Sequence, residues 1–219
     1  MPDAFSLAGA AAALLPDGVG VGSADPGRRY PLAQGEELPG AVAARLAEFS
    51  AGRHAARVAL TALGRRPVAM PMAPDRAPVW PPGVTGGITH SRTACLAAVA
   101  NLGPLLRGLG LDLEEASPLA QELWDTVLRP EEQLWLARQP AAERGLLAKT
   151  VFSAKEAAYK AQYAVSGALF GFDALEVALE GDRFIATFRQ AVPGFGEGAR
   201  LQGRWGNVQG HILTAVVLG

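Results

Sequence analysis

The chain has 219 residues, 49% of them apolar and 19% charged, with a formal net charge of −1. The apolar fraction is ample for a buried core, and the near-zero charge gives no global attraction to nucleic acid or to a membrane. The single cysteine, Cys95, excludes an intrachain disulfide framework and fits a reducing compartment. The apolar run "LAGAAAALL" near the start is too short to span a bilayer. We therefore predict a cytoplasmic protein with neither nucleic-acid nor membrane partners.

The first half of the chain carries loops, one helix and short strands. Residues 13–40 are rich in Gly and Pro and predict a loop with one or two short strands. Apolar residues recur at helical spacing over 41–64, and Arg53 and Arg57 share one face of this helix. The segments "ITHS", "ACLAAVA" and "LGLDLE" follow as extended chain with turn-like breaks, which predicts a small three-stranded antiparallel meander.

The second half repeats this combination of helices and strands. Ser117 and Pro118 are typical of a helix N-cap and first turn, Pro130 opens a further short helix, and 141–165 predicts a long helix that ends near Gly167. The tail alternates in hydropathy and predicts a second antiparallel sheet. We therefore expect an α+β chain of two similar-sized lobes, with residues 1–105 in one and 106–219 in the other.

Charge is distributed unevenly between the halves. Residues 1–110 hold ten arginines and seven acids, whereas 111–219 hold ten basic residues and fourteen acids. This asymmetry would place cationic groups and carboxylates on opposite walls of a cleft. The chain also has only three lysines, all within "KTVFSAKEAAYK" at 149–160.

The segment "LGLDLE" places two carboxylates together. In a strand its leucines would face the core, while Asp112 and Glu114 would share the opposite face, with Gly110 leaving open space beside them. Two adjacent carboxylates repel each other unless a cation joins them, and Mg²⁺ prefers oxygen ligands. The alternative is a strand with one solvated polar face.

The segment "KEAAYK" places an acid and a base on one helical face. Glu156 and Lys160 are four residues apart, with Lys155 one step to the side. Glu156 would complete a metal site begun by Asp112 and Glu114, and the two lysines would hold phosphates bound to that metal. The alternative is a surface ion pair without function.

The segment "GGITHS" has the features of a phosphate contact. Paired glycines allow a ligand to approach the backbone, and His90 follows directly. Together with Arg53 and Arg57, His90 would bind a further phosphate. The alternative is a histidine with a structural role.

Taken together, these segments resemble a known family. "PVWPPGVTGGITHS", "GLGLDLE" and "FSAKEAAYK" stand in the order and spacing of the surfactin-type 4′-phosphopantetheinyl transferases. "EFSAGRHAARVAL" is similar to the arginine-bearing helix of the branch that contains the enterobactin synthetase D component. The resemblance covers residues 45–165 well and the termini poorly. It implies two pseudo-twofold-related α+β lobes with coenzyme A in the cleft between them.

The resemblance also implies a Mg²⁺-dependent reaction. A serine hydroxyl of an acyl or peptidyl carrier protein attacks the β-phosphate of coenzyme A, and adenosine 3′,5′-bisphosphate leaves. The family's metal ligands fall on Asp112, Glu114 and Glu156. Its remaining functional residues fall on two lysines that contact phosphate, on a histidine that contacts the 3′-phosphate and on the serine beside it: Lys155, Lys160, His90 and Ser91.

The sequence departs from the family where Gly87 replaces the usual serine. Two other functions remain compatible with these residues: a Mg²⁺-dependent pyrophosphatase or nucleotide hydrolase, and a non-catalytic module that binds coenzyme A or a carrier protein. The carrier protein is open among fatty acid, polyketide, peptide and siderophore pathways, with secondary metabolism as the expected setting. We expect a monomer.

Overall fold

The computed structural model describes residues 7–219. Its first sheet has three antiparallel strands in the order β1-β3-β2, and the longer of two helices, α2, packs on it. The elements of this lobe are α1 (Leu7–Leu14), β1 (Val19–Ala24), α2 (Ala43–Ala62), β2 (Val84–His90) and β3 (Cys95–Asn101).

The second sheet has five antiparallel strands in the order β4-β8-β7-β6-β5, with α5 packed on one face. Its elements are β4 (Gly108–Glu115), α3 (Trp124–Val127), α4 (Pro130–Ala137), α5 (Arg144–Ser166), β5 (Leu175–Glu180), β6 (Arg183–Phe188), β7 (Arg200–Val208) and β8 (His211–Leu218). The predicted α+β architecture is confirmed. The C-cap of α5 is Gly167 in the left-handed conformation, as the sequence predicts.

The predicted three-stranded meander is wrong in its third strand. β2 pairs with β3, but β4 pairs with β8, and Asp112 lies opposite Thr214. Alternation within "LGLDLE" fits either partner, so the local pattern does not choose between them. The alternation itself is confirmed, because the three leucines of β4 are fully buried between the two sheets, where residues of β3 and β8 surround them.

The predicted helix start at Ser117 is also wrong. Regular helical structure begins only with a 3₁₀ turn at Gln121–Leu123. Pro118 instead packs against the start of α5, where a Cβ on Gly145 would lie 2.7 Å from the Pro118 Cβ, and Leu119 N donates a hydrogen bond to Gly145 O. Tertiary packing therefore overrides the local capping signal.

A pair of glycines brings β4 unusually close to α5. A Cβ on Gly108 would lie 2.4 Å from the Ala161 carbonyl oxygen, and one on Gly110 would lie 1.9 Å from that of Ala157. The open space that we predicted beside Asp112 at Gly110 is therefore absent, because the helix backbone fills it. This close approach places β4 and α5 at a separation that only glycine permits.

The same arrangement recurs between β1 and α2. A Cβ on Gly20 would lie 2.2 Å from the Ala59 carbonyl oxygen, and one on Gly22 would lie 2.2 Å from that of Ala55. In both lobes, glycines two residues apart on a strand meet alanines four residues apart on a helix. In both lobes, too, that strand is at the edge of its sheet and pairs with the last strand of its lobe. The two lobes therefore share one strand–helix unit.

Candidate active site

Asp112 is the most firmly held of the predicted site residues. Only 3% of it is exposed, and its carboxylate accepts hydrogen bonds from Ser153 Oγ (2.8 Å), Thr89 Oγ1 (3.0 Å) and Lys160 Nζ (2.6 Å). The sequence predicts a cleft-facing carboxylate, whereas this one is buried between β2, β4 and α5. Three donors from two lobes fix its orientation.

Thr89 of the "ITHS" segment is a residue that the sequence analysis missed. Its hydroxyl donates to Asp112 and accepts a hydrogen bond from Leu113 N (3.1 Å). Thr89 is on β2, in the first lobe, whereas both of its partners are on β4, in the second. The motif therefore joins the lobes at the site, a role that its position beside His90 in the sequence does not reveal.

Glu114, two residues along β4, has a different partner. Lys149 Nζ lies 3.1 Å from Glu114 Oε2, and both side chains are largely buried. Burial raises the pKa of Glu114, the neighbouring Asp112 carboxylate raises it further, and Lys149 opposes both effects. Lys149 therefore neutralises one of the predicted metal ligands.

Glu156 on α5 is the third predicted carboxylate and has no hydrogen-bond or ion-pair partner among residues 7–219. Burial raises its pKa, Lys160 opposes this effect, and repulsion from Asp112 and Glu114 adds to it. A half-buried carboxylate without a donor and with a raised pKa is well suited to accept a proton.

Lys160 contacts one of the three carboxylates and acts electrostatically on the others. Its ammonium contacts Asp112 and also donates to Leu111 O at 3.3 Å. Burial disfavours its charge, but the carboxylates of Asp112 and Glu156 outweigh burial and raise its pKa. Lys160 is therefore a cation held among the predicted metal ligands.

The three carboxylates suit a divalent cation in their chemistry but are not assembled around one. Among the described residues, no group of three His, Cys, Asp or Glu side chains has the arrangement of a metal site. Lys160 and Lys149 occupy oxygens of Asp112 and Glu114. A donor set made only of carboxylate oxygens nevertheless fits Mg²⁺, which prefers oxygen ligands to nitrogen or sulfur.

Lys155, predicted to contact phosphate, lies elsewhere. It is 1% exposed, and its ammonium contacts Glu132 Oε2 (2.8 Å), Val127 O (2.8 Å) and Phe172 O (3.1 Å). All three ammonium hydrogens thus have acceptors within the second lobe. One step along a helix rotates a side chain by about 100°, which turns Lys155 away from the face of Glu156.

The three lysines of the chain therefore have one property in common. Each ammonium is paired with a different carboxylate: Lys149 with Glu114, Lys155 with Glu132, and Lys160 with Asp112. The ammonium of lysine is a compact charge on a flexible stem, so it can pair with a single buried carboxylate oxygen. The planar guanidinium of arginine instead suits a bidentate acceptor.

Arg53 on α2 is a buried cation without an acceptor. It is 5% exposed, its guanidinium stacks over the Phe49 ring at 4.3 Å, and its Nε has no hydrogen-bond partner within the described part of the chain. No other atom of its side chain has a hydrogen-bond or ion-pair partner there either. Burial lowers the pKa of Arg53, and the Glu36 carboxylate opposes this effect without contacting the guanidinium. Because a buried N–H group without an acceptor is costly, this arrangement indicates a site for an anion.

Arg57, predicted to share that role, is already neutralised. Its guanidinium donates to both oxygens of the fully buried Glu36, at 2.8 and 2.7 Å, and to Pro31 O. Arg57 therefore orders the preceding loop. Arg45, which no sequence motif singled out, lies with its Nη1 3.2 Å from His90 Nε2.

The Ser91 side chain stabilises a turn between β2 and β3. Its hydroxyl accepts hydrogen bonds from the backbone N–H groups of Thr93 and Ala94, both at 3.2 Å. Its neighbour His90 is exposed at the end of β2. These two residues and Glu114 line a cavity of about 310 Å³, and Lys160 lines a second cavity, of about 430 Å³, together with residues of both lobes. Glu114 thus lines the first cavity, and the lysine that contacts Asp112 lines the second.

None of the helices between residues 7 and 219 has the length and apolar character needed to cross a bilayer.

Comparison with known proteins identifies the family. Residues 34–100 match the model of the 4′-phosphopantetheinyl transferase N-terminal domain, and residues 108–204 match that of the 4′-phosphopantetheinyl transferase superfamily. The chain is 38% identical over 188 residues to the 4′-phosphopantetheinyl transferase Svp of Streptomyces mobaraensis, covering 81% of this chain and 74% of that protein.

Two other relatives extend this result. The 4′-phosphopantetheinyl transferase Npt of Nocardia iowensis is 35% identical over 184 residues, covering 78% of this chain and 82% of that protein. Enterobactin synthase component D of Escherichia coli K12 is 39% identical over 119 residues, covering 53% of this chain and 54% of that protein. The resemblance predicted from sequence is confirmed: the chain belongs to the 4′-phosphopantetheinyl transferase family and is a transferase enzyme.

Proposed function

We propose that the protein transfers 4′-phosphopantetheine from coenzyme A to a serine hydroxyl of an apo carrier protein. The observation that carries this proposal is the constellation at the lobe interface. Three carboxylates and one lysine from β4 and α5 act on one another there, and α2 of the first lobe carries a buried arginine whose Nε has no hydrogen-bond partner. Such an arrangement suits a polyphosphate substrate that brings its own negative charge and a divalent cation.

The first lobe would bind the 3′-phosphate of coenzyme A. Arg53 has five N–H donors and no acceptor, and Arg45 and His90 lie together near the same helix. A phosphate would supply the missing acceptor for Arg53 and turn a destabilising buried charge into a charge-assisted pair. Neither Arg57 nor Ser91 is assigned to this contact, because both have other partners.

The second lobe would perform the transfer. The serine oxygen forms a bond to the β-phosphorus, the bond from that phosphorus to the bridging oxygen breaks, and adenosine 3′,5′-bisphosphate leaves. Glu156, whose carboxylate has no hydrogen-bond donor among the described residues, would take the serine proton. Lys160 would stabilise negative charge on the phosphate oxygens, because its contact with Asp112 holds its ammonium within the carboxylate cluster.

Asp112, Glu114 and Glu156 would hold Mg²⁺. When bound, the ion would neutralise charge on the β-phosphate and on the leaving group. Lys155 is assigned no contact with substrate. It would instead position the segment around Glu132, to which it is paired in the core of the second lobe.

Mass spectrometry of an apo carrier protein incubated with the enzyme, coenzyme A and Mg²⁺ tests the proposal. We expect a mass gain of one phosphopantetheine on the serine and release of adenosine 3′,5′-bisphosphate. A parallel reaction without carrier protein separates transfer from hydrolysis. Release of the bisphosphate at the same rate without carrier would instead identify a pyrophosphatase and contradict the proposal.

A further inference from the structure

A row of close contacts between β4 and α5 ends at Asp112. Gly110 meets the backbone of Ala157, and the glycine two residues before it meets the alanine four residues later on the helix. Two residues of a strand advance by about 6.6 Å and four residues of a helix by about 6 Å, so the two elements, which run in opposite directions, keep in step. The next pair in the row is Asp112 and Ser153, whose Oγ donates to Asp112 Oδ2 at 2.8 Å.

Thr214 of β8 is the third member of this contact. It lies directly opposite Asp112 in the pairing of β4 with β8, so the two side chains are on the same face of the sheet. Its Oγ1 lies 2.9 Å from Ser153 Oγ and 2.9 Å from Ser153 O. All three residues are buried. A chain of two hydroxyl groups, one from β8 and one from α5, therefore leads to the Asp112 carboxylate.

The number of protons fixes the direction of this chain. Each hydroxyl group carries one hydrogen, and an ionised carboxylate can only accept hydrogen bonds. The contact between Ser153 Oγ and Asp112 Oδ2 therefore uses the hydrogen of Ser153. The contact between the two hydroxyl oxygens must then use the hydrogen of Thr214, which also points to Ser153 O. Thr214 thus orients Ser153, and Ser153 orients Asp112.

The donors around Asp112 leave part of its second oxygen open. The two oxygens of a carboxylate offer about four lone pairs between them. Oδ1 accepts hydrogen bonds from Thr89 Oγ1 and Lys160 Nζ, whereas Oδ2 accepts from Ser153 alone among the described residues. The open lone pair is therefore on Oδ2, the oxygen whose direction Ser153 fixes.

The first lobe shows that packing alone does not require these hydroxyl groups. Its own strand–helix unit, in which Gly22 meets Ala55, extends by one further step in the same way. At that step it carries three residues without a charge or a hydroxyl group, the last of which lies opposite the first in the pairing of β1 with β3: Ala24, Ala51 and Cys95. The second lobe has an acid and two hydroxyl groups at the corresponding positions. Because burying a polar group costs free energy that an apolar side chain does not, this polar trio indicates a function.

We propose that Ser153 and Thr214 are positioning residues that fix Asp112 with its Oδ2 toward a bound divalent cation. This inference rests on the proposed function, in which Asp112 is one of the carboxylates that hold Mg²⁺. Both residues act through Asp112 and are assigned no contact with substrate. Groups that orient a metal ligand contribute about 10- to 100-fold to metal affinity. Because Thr214 is on β8, the last strand of the sheet sets the direction of a carboxylate on β4.

Mn²⁺ binding tests the inference, because Mn²⁺ takes the same oxygen ligands as Mg²⁺ and free Mn²⁺ can be counted by electron paramagnetic resonance. In the presence of coenzyme A, Ser153→Ala should weaken Mn²⁺ binding by about 10- to 100-fold. Thr214→Val keeps the shape of the side chain without its hydroxyl group and should weaken binding by about three- to tenfold. Thr214→Ser keeps the hydroxyl group and should bind Mn²⁺ as wild type does.

Thermal stability separates positioning from packing. Thr214→Ser deletes a buried methyl group and should lower the Tm by about 2 to 4 °C, whereas Thr214→Val retains that group. A packing role would make the serine variant the more damaged in both measurements, whereas positioning makes the valine variant the weaker binder of Mn²⁺. Thr150→Val is the matched control. Thr150 is buried about one turn earlier on α5, where its hydroxyl donates to Leu146 O at 3.0 Å, so its loss should leave Mn²⁺ binding unchanged.

A double variant tests the order of the chain. If Thr214 acts through Ser153, the combination of Ser153→Ala with Thr214→Val should bind Mn²⁺ no more weakly than Ser153→Ala alone. Additive losses, or wild-type Mn²⁺ affinity in Thr214→Val, overturn the positioning role and leave the proposed transfer untouched. Wild-type protein that binds no Mn²⁺ overturns the metal site and this inference with it. Wild-type protein that binds Mn²⁺ and coenzyme A but modifies no carrier overturns the proposed function instead.

Discussion

Replacing Gly110 with alanine should damage catalysis without touching a catalytic side chain. The new Cβ would lie 1.9 Å from the Ala157 carbonyl oxygen and 2.7 Å from Ala161 N. Ordinary contact begins near 3.4 Å, so β4 and α5 must separate by about 1.5 Å. Overpacking of this kind costs about 1 to 3 kcal/mol, which should lower the Tm by roughly 3 to 10 °C for a chain of this length.

Activity should fall further than stability suggests. Asp112 is on β4, whereas Glu156 and Lys160 are on α5, so a separation of these elements moves the carboxylates apart. A displacement of about 1 Å in a catalytic arrangement costs on the order of 100-fold in rate. We expect kcat/KM for carrier modification to fall by about that factor while coenzyme A binding through the first lobe is retained.

A graded series provides the control. Gly108→Ala meets the same helix at a less severe 2.4 Å and should lose less activity. Gly206→Ala on β7 meets nothing within 4 Å and should behave as wild type in both assays. Wild-type turnover by the Gly110 variant, or equal losses at all three glycines, would refute the argument that backbone approach sets the geometry of the site.

Three further outcomes are expected. Asp112→Asn should lower kcat/KM by about 100- to 1000-fold, because a preorganised charge is lost. Mass spectrometry of the product that shows more than a tenth of wild-type activity would contradict this prediction. Lys149→Met should lower the Mg²⁺ concentration for half-maximal activity by about threefold, because Glu114 loses a competing cation; an increased requirement in the Mg²⁺ titration would be the opposite result. Lys155→Met should lower the free energy of unfolding in urea by about 3 to 5 kcal/mol, because it leaves Glu132 unpaired. Adding Glu132→Gln should restore part of that loss. Strictly additive effects of the two substitutions would show that the pair is not coupled.

The sequence predicts those parts of the site that depend on the regular spacing of one element. Asp112 and Glu114 share a strand face, and Glu156 and Lys160 share a helix face, because periods of two and 3.6 residues hold wherever the element packs. The prediction that all four residues form one site came from their chemistry, and the family resemblance implies the same grouping. The structure brings them together between the lobes.

Spacing cannot predict the partner of a long side chain. Lys155 is adjacent to Glu156 in sequence, yet it points to Glu132 of α4, because that carboxylate and the carbonyl groups of Val127 and Phe172 provide buried acceptors there. Arg57 shares a helix face with Arg53, yet Glu36, from a loop without periodicity, neutralises it. The pairing of β4 with β8 rather than β3 has the same origin, since about a hundred residues separate the two strands and nothing local selects between them.

The edge position of β4 has a consequence for the time at which activity appears during synthesis. Among the strands between residues 7 and 219, β8 alone pairs with β4. Asp112 lies opposite Thr214, which itself contacts Ser153 beside the same carboxylate. The ribosome therefore completes α2, β4 and α5 well before it completes β8, the strand that pairs with β4. A nascent chain that lacks β8 would hold every residue of the proposed active site but not the strand that pairs with β4. We expect that a carrier protein made in the same cell is modified only by enzyme whose last strand has left the ribosomal tunnel.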